Sequence, residues 1–155
     1  LLQRMKSPDA SLFFAQSDAI LNTYFCAEMQ MNLFFIYSGG FMTIREMQKV
    51  LDARFLYGEE MADLEAQFVF SSDMMSDVLA YGGKCSVLIT GLCNPQVVRT
   101  AEMLDIICII FVRGKMPDDN MLRLAMAKGI AVLATGHYMF TTCGMLYEHG
   151  LRGGA

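Results

Sequence analysis

Cys85-Ser86-Val87-Leu88-Ile89-Thr90-Gly91-Leu92-Cys93-Asn94-Pro95-Gln96-Val97-Val98-Arg99-Thr100-Ala101-Glu102-Met103-Leu104 decides the fold. Residues 85–90 are apolar on both faces, the pattern of a strand buried inside a parallel sheet. Asn94 followed by Pro95 supplies an N-cap and a proline in the first helical turn, so the chain leaves the strand through Thr90-Gly91 into a helix. Val97, Val98, Ala101 and Leu104 then recur on one face of that helix. No motif in this stretch, or elsewhere in the chain, spells out a chemistry.

Outward from this unit the same solution repeats. Upstream, 67–70 reads as a strand, Ser71-Ser72-Asp73 as the cap of a helix over 74–80 burying Met75, Val78 and Leu79, and Gly82-Gly83 as its end. Downstream, the β-branched run 106–112 predicts another buried strand, followed by a helix with Pro117-Asp118-Asp119 in its first turn and Gly129 beyond its end. A strand over 130–134 then turns through Thr135-Gly136 into a last helix, stopped by Gly150. Strands alternating with helices of this length imply an α/β fold around a largely parallel sheet, with both Thr-Gly turns at its carboxyl edge.

Thr43 and Glu46 form a capping box, with Met42 and Met47 placed as a hydrophobic staple, so a helix starts cleanly there. A short strand over 55–57 follows it, closed by Gly58. Residues 1–41 show no sustained period, and we divide the chain into this extension and an α/β domain over 42–155. Two readings of the extension stay open. Gly39-Gly40 is either a linker after a native segment, or the trace of a ribosome-binding site just ahead of a true start at Met42.

The chain has 155 residues, enough to close a single core without disulfides or metal. With 12 basic against 16 acidic residues, its net charge of −4 carries no general footprint for nucleic acid. Five cysteines, none in a C-x-x-C pair, point to reduced thiols and a cytoplasmic setting. No apolar run approaches the ~20 residues of a membrane span, and neither a cofactor nor a metal site is expected.

Loops at the carboxyl ends of parallel strands are where open α/β sheets bind ligands, and backbone N–H groups there favour anions. Asp73, Thr90, Gly91, Asn94, Thr135 and Gly136 are therefore the candidate ligand-binding residues. The competing account is capping, since Ser, Thr, Asp and Asn before helices satisfy orphan N–H groups and glycine permits the turn. Cys93 and His137 each follow a Thr-Gly turn closely and would form a thiol-imidazole pair if the sheet edge brought them together. Asp73 and Asp77 stand a helical turn apart, with no nucleophile beside them, and read as a solvated face.

Residues 72–80, Ser-Asp-Met-Met-Ser-Asp-Val-Leu-Ala, and 88–101, Leu-Ile-Thr-Gly-Leu-Cys-Asn-Pro-Gln-Val-Val-Arg-Thr-Ala, resemble the small DRTGG-domain proteins of bacteria and archaea. The similarity spans Met42 to about Leu151. It implies a domain similar to the N-terminal domain of HPr kinase/phosphorylase, which occurs alone or attached to phosphotransacetylases and CBS-containing pyrophosphatases as a regulatory or dimer-forming module. Stand-alone members accompany iron-only hydrogenase components in anaerobes. No intact Asp-Arg-Thr-Gly-Gly occurs in this chain, and Leu151-Arg152-Gly153-Gly154 does not replace it, so no ligand role of that motif carries over. The resemblance implies a non-enzymatic regulatory module with a nucleotide or phosphate ligand and an enzyme partner in hydrogenase-linked or phosphotransacetylase-type metabolism. A homodimer is expected on the same ground and on the 54% of hydrophobic residues in so small a chain. The alternative is an accessory to a redox or phosphoryl-transfer enzyme that uses Cys93 or the Thr-Gly turns.

Overall fold

A computed structural model describes residues 40–154. The start proposed at Met42 and the aromatic-rich extension turn on residues 1–39, which lie outside the described residues. In chain order the elements are β1 (Met42–Thr43), α1 (Ile44–Val50), β2 (Arg54–Tyr57), a 3-10 turn (Glu59–Met61), β3 (Glu65–Ala66), β4 (Phe68–Ser71), α2 (Met75–Tyr81) and β5 (Val87–Thr90). These are followed by α3 (Pro95–Met103), β6 (Cys108–Phe111), α4 (Asp119–Ala127), β7 (Ala131–Ala134), α5 (Met139–Glu148) and β8 (Arg152–Gly153).

The larger sheet has six strands in the order β2-β7-β6-β5-β4-β8. All its pairings are parallel except β2 with β7, so the largely parallel α/β sheet expected from the alternating pattern is what forms. Every residue of β5, β6 and β7 is buried, which is why these strands read as continuous apolar runs. Burying one such Ile, Leu or Val side chain contributes about 1.5–3 kcal/mol, more than any exposed ion pair of this chain can, so the sheet core holds the fold together.

The two faces bury different helices. Met75 and Val78 of α2, Val97, Val98 and Ala101 of α3, and Met121 and Ala125 of α4 pack with Leu88, Ile109, Phe111 and Val132 on one face. Ile44 and Met47 of α1, with Leu146 of α5, pack with Val87, Ile89, Cys108, Ile110 and Leu133 on the other. The chain therefore winds β4 to β7 along one face, then crosses back under the sheet through α5 to place β8 beside β4.

Local signals hold where they depend on near neighbours. Glu46 N donates to Thr43 Oγ1 over 3.2 Å and Thr43 N to Glu46 Oε2 over 2.8 Å, which completes the capping box. Asn94 accepts from Gln96 N at 2.8 Å with Pro95 opening α3. Asp118 caps α4 by accepting from Met121 N, which leaves Pro117 before the helix and not in its first turn. The expected cap of α2 is different. Its N-cap is Met74, and Asp73 does not cap it, because the Asp73 carboxylate is engaged by donors from other strands. Leu79 is exposed and not buried, since only Met75 and Val78 of α2 reach the sheet. The acidic segment after Gly58 adds β3, which pairs with β1 antiparallel.

Candidate functional site

Strand register sets the geometry of the carboxyl edge. Ser71 pairs with Ile89, Thr90 with Phe111, and Phe111 with Ala134, so Asp73, Gly91, Val112 and Thr135 fall in one row just past the strands. Both Thr-Gly turns are thus on one edge, with the β6 terminus between them.

At the first turn three donors converge on Asp73. Gly91 N donates to Oδ1 over 2.6 Å, Thr90 Oγ1 to Oδ1 over 3.0 Å, and Arg113 Nη2 to Oδ2 over 2.9 Å. Burial works against the Asp73 charge, but the Gly91 N–H, the Thr90 hydroxyl and the Arg113 guanidinium together outweigh it and hold the carboxyl below its usual range. Thr90 Oγ1 also accepts from Leu92 N at 3.1 Å. The guanidinium of Arg113 lies over Gly91, where a Cβ would overlap it. Glycine lets the guanidinium lie this close, and a side chain there would push the flexible arginine aside. The Asp73 and Arg113 side chains remain 42% and 40% exposed, so the ion pair is open to water.

At the second turn the same dipeptide does something else. Thr135 is buried, and its hydroxyl donates over 2.9 Å to the Leu51 carbonyl at the end of α1. Gly136 is exposed with open space around its α-carbon. Backbone bonds link the two regions. Arg113 N donates to His137 O over 2.8 Å and Gly114 N to Thr135 O over 2.9 Å, with Arg113 and Gly114 both in the left-handed region at φ 63° and 64°. Since α4 and α5 leave β6 and β7 toward opposite faces, the crevice expected between those strand ends is stitched by these bonds.

The structure therefore brings Asp73, Thr90 and Gly91 into one cluster, joins Thr135 and Gly136 to it through the β6–α4 loop, and leaves Asn94 as the cap of α3. Arg113 was missed as a site residue. Its only sequence signal was a small basic turn, Arg113-Gly114-Lys115, and its partner Asp73 lies 40 residues away.

The cluster offers binding, not proton transfer. A carboxylate held below its usual range is a weak base at neutral pH. Cys93 is exposed, yet burial of its thiol raises its pKa despite the nearby Lys115 and Arg113 charges, so little thiolate forms. No Cys93–His137 bond forms; the His137 carbonyl is engaged by Arg113 N instead. Among the described residues no group of His, Cys, Asp and Glu side chains could hold a metal ion, and no helix is long and apolar enough to cross a membrane. An apolar groove of about 310 Å³ beside α5, lined by Val69, Leu146 and Tyr147 among others, shares no residue with the cluster.

No curated protein matches the chain. Among solved structures, a similar fold occurs in the CBS and DRTGG domains of the regulatory region of Clostridium perfringens pyrophosphatase, complexed with its activator diadenosine tetraphosphate. The TM-score is 0.54 at 18% identity, over 68% of this chain. This chain spans just under half of that one, 46%. The DRTGG domain profile matches residues 46–149, from the first turn of α1 to the end of α5. By that match, which takes in both Thr-Gly turns and the Asp73 cluster between α1 and α5, the chain belongs to the DRTGG domain family.

Proposed function

We propose that the chain is a non-catalytic regulatory module that senses a small phosphate-bearing anion, with nucleotides as the leading class, at the carboxyl edge of its sheet. The observation that carries this reading is the convergence of a hydroxyl from the end of β5, a backbone N–H from the loop after it and a guanidinium from the loop after β6 on one solvent-open point. Lys115 follows two residues after Arg113 and has no ion-pair partner among the described residues. Asn94, as the cap of α3, and Gly136 stand on the same edge, and Thr135 supports it from within through its bond to Leu51 O. The regulatory region of similar fold, complexed with a dinucleotide activator, supports the ligand class.

The same edge bears exposed apolar side chains, Met74, Met116, Tyr138 at 71% and Phe140 at 89%. Such a rim suits a second copy, and we assign the module a homodimer in a reducing cytoplasm, where its four described cysteines stay free. A place beside an enzyme of hydrogenase-linked or phosphotransacetylase-type metabolism rests on the sequence resemblance alone. The thiol-based alternative is disfavoured by the raised pKa of Cys93.

Calorimetry of the full chain with adenine nucleotides and small phosphates tests the reading. Wild type binds with modest, salt-sensitive affinity, and Gly91→Val, which drives Arg113 from its position, loses binding. No binding by wild type, or equal binding by a folded Gly91→Val variant, leaves these residues as caps and turn-formers only. Light scattering that finds a dilution-stable monomer would remove the dimer.

A further inference from the structure

We infer that the Asp73 carboxylate is a built-in competitor for the ligand of this edge: a phosphate-bearing anion binds by displacing it from Gly91 N–H, Thr90 Oγ1 and Arg113 Nη2. This rests on the anion-sensing reading and deepens it, because it makes a residue of the site an antagonist of binding.

Among the described residues the Asp73 carboxylate bonds nothing outside this cluster. The helix that follows it, α2, starts at Met75 with Met74 as its N-cap, and the Asp73 carboxylate makes no bond to it, so it does not serve as a cap. Its hydrogen bonds go to the three donors of the cluster. Those donors come from β5, the loop after β5 and the loop after β6, and their geometry is set by the parallel register and by the Arg113 and Gly114 backbone bonds to the β7–α5 turn. The Gly91 N–H and the Thr90 hydroxyl would hold their positions if Asp73 swung away, and the Arg113 side chain, which bonds Asp73, would be free to turn to the incoming anion. Both members of the ion pair are about two-fifths exposed, so a solute reaches them without opening the core.

Charge favours the exchange. A carboxylate brings one negative charge, whereas a phosphate group brings about −1.5 to −2 and three acceptor oxygens. Arg113 and Lys115 both act on the Cys93 thiol, against Asp118 and Asp73, so with Asp73 displaced two cations face one remaining acid in this neighbourhood. The carboxylate pairs with Arg113, and Lys115 has no ion-pair partner among the described residues, which leaves it for a larger anion. Asp73 competes by being tethered, with an effective concentration on the order of millimolar for a short flexible connection. The apparent affinity of the anion is then the intrinsic one reduced by the fraction of molecules in which Asp73 is away.

The experiment is calorimetric titration of the full chain with pyrophosphate at low salt, on wild type, Asp73→Asn, Asp73→Ala and Asp73→Asn/Arg113→Gln, with melting curves to confirm folding. Both single variants should bind about tenfold or more tightly than wild type, and the added Arg113→Gln should abolish the gain. If wild type binds and the Asp73 variants bind equally or more weakly, Asp73 is not a competitor and the anion-sensing reading stands without it. If none of the proteins binds, both readings fall and Asp73 only fastens two loops. A readout on wild type guards against a misfolded variant: saturating pyrophosphate should shift the carboxyl carbon resonance of Asp73, and an unmoved resonance in a binding-competent protein overturns the inference.

Discussion

Thr90-Gly91 and Thr135-Gly136 are the same dipeptide, at the ends of two parallel strands, on the same edge of one sheet, and they do opposite things. Thr90-Gly91 points its donors at an exposed carboxylate and lies beneath a guanidinium. Thr135-Gly136 turns its hydroxyl inward to the last carbonyl region of α1 and leaves its glycine open to solvent. The difference comes from the flanking elements. β5 is bordered by the loop of Asp73 and the loop of Arg113, while β7 is bordered by antiparallel β2 and so by the end of α1. A turn motif sets a backbone bend, and its neighbours in the sheet set its role.

The largest effect should come from the buried member of the pair. Thr135→Val removes the donor to Leu51 O and leaves a helix-end carbonyl buried without it, at a cost of about 2 kcal/mol in urea unfolding, whereas Thr135→Ser should recover most of it. An unchanged midpoint for Thr135→Val would mean that the contact with α1 is dispensable. Thr142 sharpens the contrast, because it too is buried but its hydroxyl has no partner among the described residues. Thr142→Val should therefore stabilise the protein by about 1 kcal/mol in the same assay, and a loss of stability would show a hidden partner.

Asp73→Asn probes the exposed member. The folded protein holds the Asp73 carboxyl below its usual value, so its stabilisation is fully present above the unfolded pKa of about 3.9 and is lost as pH falls through the folded value. With both partners about two-fifths exposed, solvent screening limits the effect to about 1 kcal/mol at most. The stability gap between wild type and Asp73→Asn should be constant near neutrality and close below about pH 4. A gap that persists undiminished at lower pH would mean that charge is not its source. Smallest are the glycines: Gly91→Ala should cost about 0.5 kcal/mol, since a flexible arginine can withdraw, and Gly136→Ala about zero. Equal thermal shifts for the two would erase the distinction between the turns.

Much of this was legible because helix caps and buried strands are written in residues close together. Thr43 and Glu46, Asn94 and Pro95, and the continuous apolar runs of β5, β6 and β7 define their elements by periodicity and by hydrogen bonds spanning a few residues. The DRTGG resemblance came from the same local patterns and agrees with the match over 46–149. Asp73 was misread as a cap for the opposite reason. A short polar side chain before a helix has two ways to satisfy itself, and the choice depends on what the neighbouring strands present.

Sequence alone determined the alternation of the main strands and helices, the caps that open α1 and α3, and the placement of both Thr-Gly turns at one carboxyl edge. Tertiary structure decided that Asp73 meets Gly91 and Arg113, 18 and 40 residues away, that Thr135 reaches Leu51 across 84 residues, and that β2 and β8 close the two edges of the sheet. Local elements follow from steric and hydrogen-bond preferences within one or two turns of chain. Partners so distant in sequence are chosen only by strand order and register, which emerge when both faces of the sheet are buried at once.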